Sequence, residues 1–198
     1  MKSGRSTLLA TALGLLAPLL ISCHSAPTRI HTLHAVAPAS SITHYAGPPI
    51  RIDAVHVPPA LDRIEVITGV AEGELRINDL DYWAAPLSQL AVQVLSADMV
   101  ARLPPDRVIF PELRKPEGAL GISVDILDFG ASSTSAFLEA SWTIASPQGD
   151  IAPRRGTGTF KEPGTDVTAA GTAQALSALL AQLADQIVAE LLHEPNAG

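Results

Sequence analysis

A single cysteine, Cys23, is the only thiol in 198 residues, so an intramolecular disulfide is excluded. Basic residues are scarce: 13 Lys and Arg stand against 20 Asp and Glu, a net charge of −7. A chain so short of positive charge has no footprint for nucleic acid. There is no Gly-x-Ser-x-Gly elbow and no Walker spacing, which removes the usual signatures of a nucleophilic hydrolase and of a phosphate-cradling loop. No internal repeat and no low-complexity domain is found. The apolar run between Thr7 and Ser22 carries Gly14 and Pro18 and falls short of the ~20 residues that cross a bilayer.

That run has another use. Lys2 and Arg5 give a positive start, the apolar stretch follows, and the Leu20-Ile21-Ser22-Cys23 sequence ends it, the layout of a secretory signal over 1–22. The four residues resemble the lipobox of bacterial lipoproteins, in which the cysteine carries diacylglycerol and becomes the new N-terminus. On that resemblance Cys23 is lipidated, and two or more acyl chains hold a protein stably to a membrane where one does not. His24 rather than Asp after Cys23 favours sorting to the outer membrane. Loss of the leader removes Lys2 and Arg5 and no acid, leaving 11 basic against 20 acidic residues, a net −9. Anionic headgroups repel such a surface, so the anchor must supply the membrane affinity.

The remainder, about 175 residues, is sized for one domain and is apolar enough for a core. A tether over 23–27 leads to a domain over 28–195. Ile30 to Leu33 reads as a short strand, and the Pro, Ala and Ser from about Ala35 to Gly47 as a flexible stretch. Pro49 to Val57 alternates and is β-branched; Ile64 to Thr68 and Glu74 to Asn78 form a hairpin across Ala71-Glu72-Gly73. From Asp81 the period becomes helical, with Trp83, Leu87, Leu90, Ala91, Val94 and Leu95 on one face and Pro86 in the first turn. Pro104-Pro105 ends this helix near Arg102. Arg107 to Phe110 is a short strand, Leu120 to Ile126 and Ala136 to Ile144 form a second hairpin with one face wet, and Gly156 to Phe160 extends it. A long amphipathic helix closes the chain from about Val167 to Leu192, with Thr165 or Asp166 as its cap. The order predicts an α/β fold, a mixed and largely antiparallel sheet covered by two helices.

Few side chains advertise chemistry. His31, His34 and His44 lack the accompanying carboxylates of a tuned metal site. Asp79 and Asp81 are placed to serve the positive end of the first helix rather than as a paired acid and base. Arg154-Arg155-Gly156-Thr157-Gly158 reads as a solvated turn, since no helix opens on it. No cofactor and no metal are expected.

Pro58-Pro59-Ala60-Leu61-Asp62-Arg63, followed by Trp83-Ala84-Ala85-Pro86-Leu87, with Phe129, Trp142 and the Leu-rich last helix, resembles the ABC-type transport auxiliary lipoprotein family from about Thr28 to His193. The resemblance implies a non-enzymatic outer-membrane lipoprotein that works with an MCE-domain periplasmic protein and an inner-membrane permease, moving lipids or other hydrophobic molecules between membranes. It also implies a fold similar to the N-terminal domain of TolB. Asp62, Arg63 and Trp83 become candidates for contact with a partner, against a purely structural role at the strand-to-helix junction. Self-association of the domain stays open. The competing readings are a lipid carrier with its own apolar cavity, and an envelope enzyme.

Overall fold

A computed structural model describes residues 26–71, 74–149, 152–164 and 166–193. The leader 1–22, Cys23 and the Thr165 cap lie outside the described residues. Among the described residues, seven strands and two α-helices follow one another as β1 (Arg29–His31), β2 (Ile50–His56), β3 (Glu65–Ala71), β4 (Glu74–Trp83), α1 (Leu87–Arg102), β5 (Leu120–Ala131), β6 (Ser135–Ala145), β7 (Arg154–Pro163) and α2 (Ala169–Leu192). The fold is mixed α/β, but the strands divide into two sheets, ordered β1-β4-β3 and β2-β5-β6-β7. Each joins one parallel pair, β1 with β4 or β2 with β5, to antiparallel neighbours. A parallel pair needs a long crossover. For β2 and β5 that crossover contains the whole β3–β4 hairpin and α1.

The larger sheet puts alternate residues inward: Ile50 and Ile52 on β2, Ile122 and Val124 on β5, Leu138, Trp142 and Ile144 on β6. Against them lie Leu95 and Met99 of α1 and Leu176, Leu179, Leu180, Leu183 and Ile187 of α2, all fully or nearly fully buried. Each such side chain contributes about 1.5–3 kcal/mol relative to exposure. By length and hydropathy α2 could span a bilayer. Here it is the central core helix, with Leu176, Leu180, Ala184 and Leu191 among its buried residues. Thr168 caps it by accepting from the Gly171 N–H at 3.1 Å, while Asp166 Oδ1 accepts from the Thr168 N–H at 2.9 Å. The far end is closed by Arg154, which donates to the Glu190 carbonyl at 2.8 Å.

Three expectations are corrected. Trp83 ends β4 instead of opening α1, and Pro86 is the N-cap residue of α1. Trp83 satisfies the helical spacing because strand and helix bury their apolar residues in the same core. Arg107 to Phe110 is not a strand: Pro105–Arg107 forms a 3-10 turn, and only Val108 makes a bridge, to Ile50. The stretch from Ala35 to Gly47 is a strap across the helices. His34 donates its N–H to Ser177 Oγ at 3.2 Å, Val36 donates to Asp98 Oδ1 at 2.9 Å, Ile42 donates to the Arg102 carbonyl at 2.8 Å, and Leu33 and Tyr45 are buried.

Candidate functional site

The Pro58-to-Arg63 segment and the Trp83-to-Leu87 segment meet at one junction. Turns at Pro58, whose carbonyl accepts from the N–H groups of Leu61 and Asp62, bring the Asp62 carboxylate to the start of α1. Helix N-termini leave N–H groups without partners, and Pro86 has no side chain able to accept one. Asp62 supplies the acceptor, taking the Ser88 N–H at 2.9 Å and the Ser88 hydroxyl at 3.0 Å. Leu61 and Trp83 close the same junction from below with Ile67, Leu87 and Phe129, around a void of about 10 Å³, roughly enough for one water. Arg63 points outward, its side chain 43% exposed and paired with Glu65 at 3.2 Å. Of the three candidate contact residues, Asp62 and Trp83 are thus built into the junction and Arg63 stands on its surface.

A second cluster lies where β1 meets β4. Asp81 is 1% exposed and receives Arg29 Nε and a terminal guanidinium nitrogen, each at 2.7 Å, together with His31 Nε2 at 2.7 Å. The Arg29 hydrogen bonds outweigh burial, and with His31 they hold the Asp81 carboxyl down at about 2. Asp81 therefore does not serve the start of α1, contrary to the expectation from its position in the sequence. That role belongs to Asp62, because β4 runs on through Trp83 and carries Asp81 away from the helix end. Arg29, His31 and Asp81 line an open recess of about 340 Å³ with Thr68, Asn78 and the first turn of α2.

The third cluster is interior. Arg102, 3% exposed, donates to Asp98 Oδ1, to Asp185 Oδ1 and to the carbonyls of Val36 and Ala181, tying α1, α2 and the strap together. Burial pushes the Asp98 carboxyl up to about 6, although the Val36 N–H and Arg102 pull the other way. Its Oδ2 has no partner among the described residues. A general acid or base needs a pKa near the working pH and access to substrate. Asp81 lacks the first and fully enclosed Asp98 lacks the second.

His31 pairs with Asp81, His34 Nδ1 lies 3.4 Å from Ser177 Oγ, and His44 is exposed. No group of three His, Cys, Asp or Glu side chains among the described residues could hold one metal ion. Arg154 to Gly158 belongs to β7, where Gly156 leaves room for the Trp142 indole. The indole N–H donates to Glu190 Oε2 at 2.6 Å. The Asp62–Ser88 and Arg29–Asp81 pairings escape a sequence reading because they link distant elements. The one local signal is that Pro86 cannot cap its own helix.

The family model for the ABC-type transport auxiliary lipoprotein component matches residues 31–188, and the chain belongs to that family. Two solved structures share the fold with a TM-score of 0.59. One is an uncharacterized protein, 18% identical, over 84% of this chain and 99% of its own. The other is a Xanthomonas campestris protein of family DUF330, 14% identical, over 81% of this chain and 92% of its own. No curated protein matches the chain. Membership makes the protein an auxiliary component of a transport system and a lipoprotein of the cell envelope.

Proposed function

We propose that the protein is the lipid-anchored, non-catalytic member of an MCE-type intermembrane transport system. In this reading Cys23 carries the lipid and holds the domain on the periplasmic face of the outer membrane. The domain there receives the end of an MCE-domain protein, whose inner-membrane partner is a permease. The observation that carries the reading is the family match over nearly the whole domain, and the filled core supports it. Among the described residues, the apolar void lined by Leu61, Ile67, Trp83, Leu87 and Phe129 is about 10 Å³, whereas pockets that enclose small molecules run to several hundred Å³. The larger recesses open on the surface. The domain thus offers a partner its outside, which disfavours the alternative of a carrier enclosing lipid. Tethering makes a modest contact sufficient, because confinement at one leaflet raises the effective concentration of each partner for the other.

Of the three candidate contact residues Arg63 is the exposed one, with Asp62 and Trp83 fixing the backbone from which it projects. A photoreactive amino acid at position 63, activated in intact envelopes, is expected to capture an MCE-domain protein. Capture of none there, nor at other exposed positions on the domain, would sink the reading. Lipid co-purifying with the gently extracted protein, and lost when the core is refilled by larger side chains, would favour the carrier instead.

A further inference from the structure

The start of β1, the β3–β4 hairpin, the β5–β6 turn and the start of α2 meet at one end of the domain. Val167, just before α2, lines the recess with Arg29 and also a neighbouring one with Arg76, Ala131 and Ser132. Arg76 sits between Leu75 and Ile77 on β4, and Ile30 follows Arg29 on β1. Ile30, Leu75, Ile77 and Val167 are 63, 36, 39 and 51% exposed. Strand alternation turns Ile30 away from Arg29, and Leu75 and Ile77 away from Arg76, so these apolar side chains flank the two recesses from the other face of the strands while Val167 lines them.

Cys23 is six residues before Arg29, and an extended chain spans at most ~3.6 Å per residue, so β1 starts within roughly 20 Å of whatever holds residue 23. From the exposed rim and this short reach we infer that this end of the domain rests on the leaflet that carries the anchor, with Ile30, Leu75, Ile77 and Val167 dipping into its interface. The inference rests on lipidation of Cys23, as proposed above. Exposed apolar side chains gain by leaving water for the headgroup and acyl boundary, and the tether keeps them close enough for a weak contact to persist.

Charge is not the attraction. Arg29 is taken up by Asp81, and against Arg76, which lines the second recess, stand Asp79 on β4, Asp128 on β5 and Asp166 just before α2. The seating therefore gains nothing from anionic lipid and is not weakened by salt, unlike that of a polybasic patch. It sets the domain upright. β5 runs from Ala131, beside the rim, to Leu120, roughly 35 Å away at ~3.3 Å per residue. Exposed Phe110 and Leu113 stand beside that far end, where Arg51 donates to the Leu113 carbonyl, and they face away from the membrane.

The test uses the full lipidated chain, whose only native cysteine is the acylated one. An environment-sensitive fluorophore is placed on Ile77→Cys, Val167→Cys or Leu113→Cys, and each protein is reconstituted in phosphatidylethanolamine vesicles with and without phosphatidylglycerol. Labels at 77 and 167 are expected to shift to the blue and to be quenched severalfold by lipids carrying a quencher near the headgroup. The label at 113 is expected to stay unquenched, and high salt not to release the labels at 77 and 167. Protein that floats with vesicles but is unquenched at 77 and 167, or equally quenched at 113, overturns this inference alone. Protein that does not float overturns the lipoprotein reading with it. Shielding seen in native envelopes but absent from protein-free vesicles would give the rim to a protein partner and overturn the membrane assignment.

Discussion

Asp62 and Ser88 stand 26 residues apart in sequence and are joined twice in space, through the Ser88 amide and the Ser88 hydroxyl. A loop thereby caps the first turn of a helix that its own Pro86 cannot cap. Because Trp83 ends the strand leading into that helix, the junction depends on a carboxylate supplied from the far side of the hairpin.

Replacing Asp62 by Ala strands the Ser88 amide and should cost about 1–2 kcal/mol, the usual loss for a removed helix cap. Asp62→Asn keeps an acceptor and should recover part of it. Urea denaturation of the two variants measures the difference; equal stability of Asp62→Ala and the parent would remove the capping role.

How much of this could be read from the sequence follows from how local each cause is. β5 and β6 were legible because inner positions such as Ile122 and Leu138 alternate with polar outer ones. The stripe of α2 was legible because Leu176, Leu180 and Leu183 repeat at helical steps. Trp83 misled because its spacing to Leu87 and Leu90 also fits a helix. The strap was hidden for another reason: Pro, Ala and Ser mark a loop, but the acceptors for Val36 and His34 are Asp98 and Ser177, 62 and 143 residues distant. The split into two sheets likewise depends on pairings across the chain, such as Arg29 with Asp81.

Gly156 faces the Trp142 indole, and a Cβ added there would collide with the ring. Gly156→Ala should therefore push the indole off Glu190 and cost about 1–3 kcal/mol, the range for overpacking a filled site. Trp142 emission and near-ultraviolet dichroism should change with the stability. An unaltered spectrum would show that the ring has room to move.

Asp81 governs the acid limb. Its carboxyl is held at about 2 in the folded state, against 3.8 in its ordinary environment. Between those values the unfolded chain binds the extra proton, so the stabilisation is complete above about pH 4 and is lost as pH falls through about 2. Asp81→Asn should flatten that part of the profile. Thermal unfolding at pH 2.5 and pH 4.5 tests it: the parent should lose more stability between them than the variant, and parallel losses would contradict the assignment.

Asp98 works in the opposite sense. Burial raises its carboxyl from 3.8 to about 6, so the folded state holds the proton across that interval while the unfolded chain has released it. Stability contributed by the protonated form is present below about pH 4 and declines as pH rises through about 6. Arg102 and the Val36 N–H soften the loss by favouring the anion, while Asp185 opposes them. The net penalty at neutral pH is on the order of 1–3 kcal/mol for a shift of this size. Asp98→Asn cannot ionise, so it should lose the part of the pH dependence between pH 4 and pH 7 that Asp98 supplies and should gain on the parent as the pH rises. Amide exchange at Val36 adds a local readout, because the amide carbonyl still accepts the Val36 N–H if the strap is held by geometry. A variant that tracks the parent across this range would mean that Asp98 titrates elsewhere, and that Arg102 holds it fully ionised within the core.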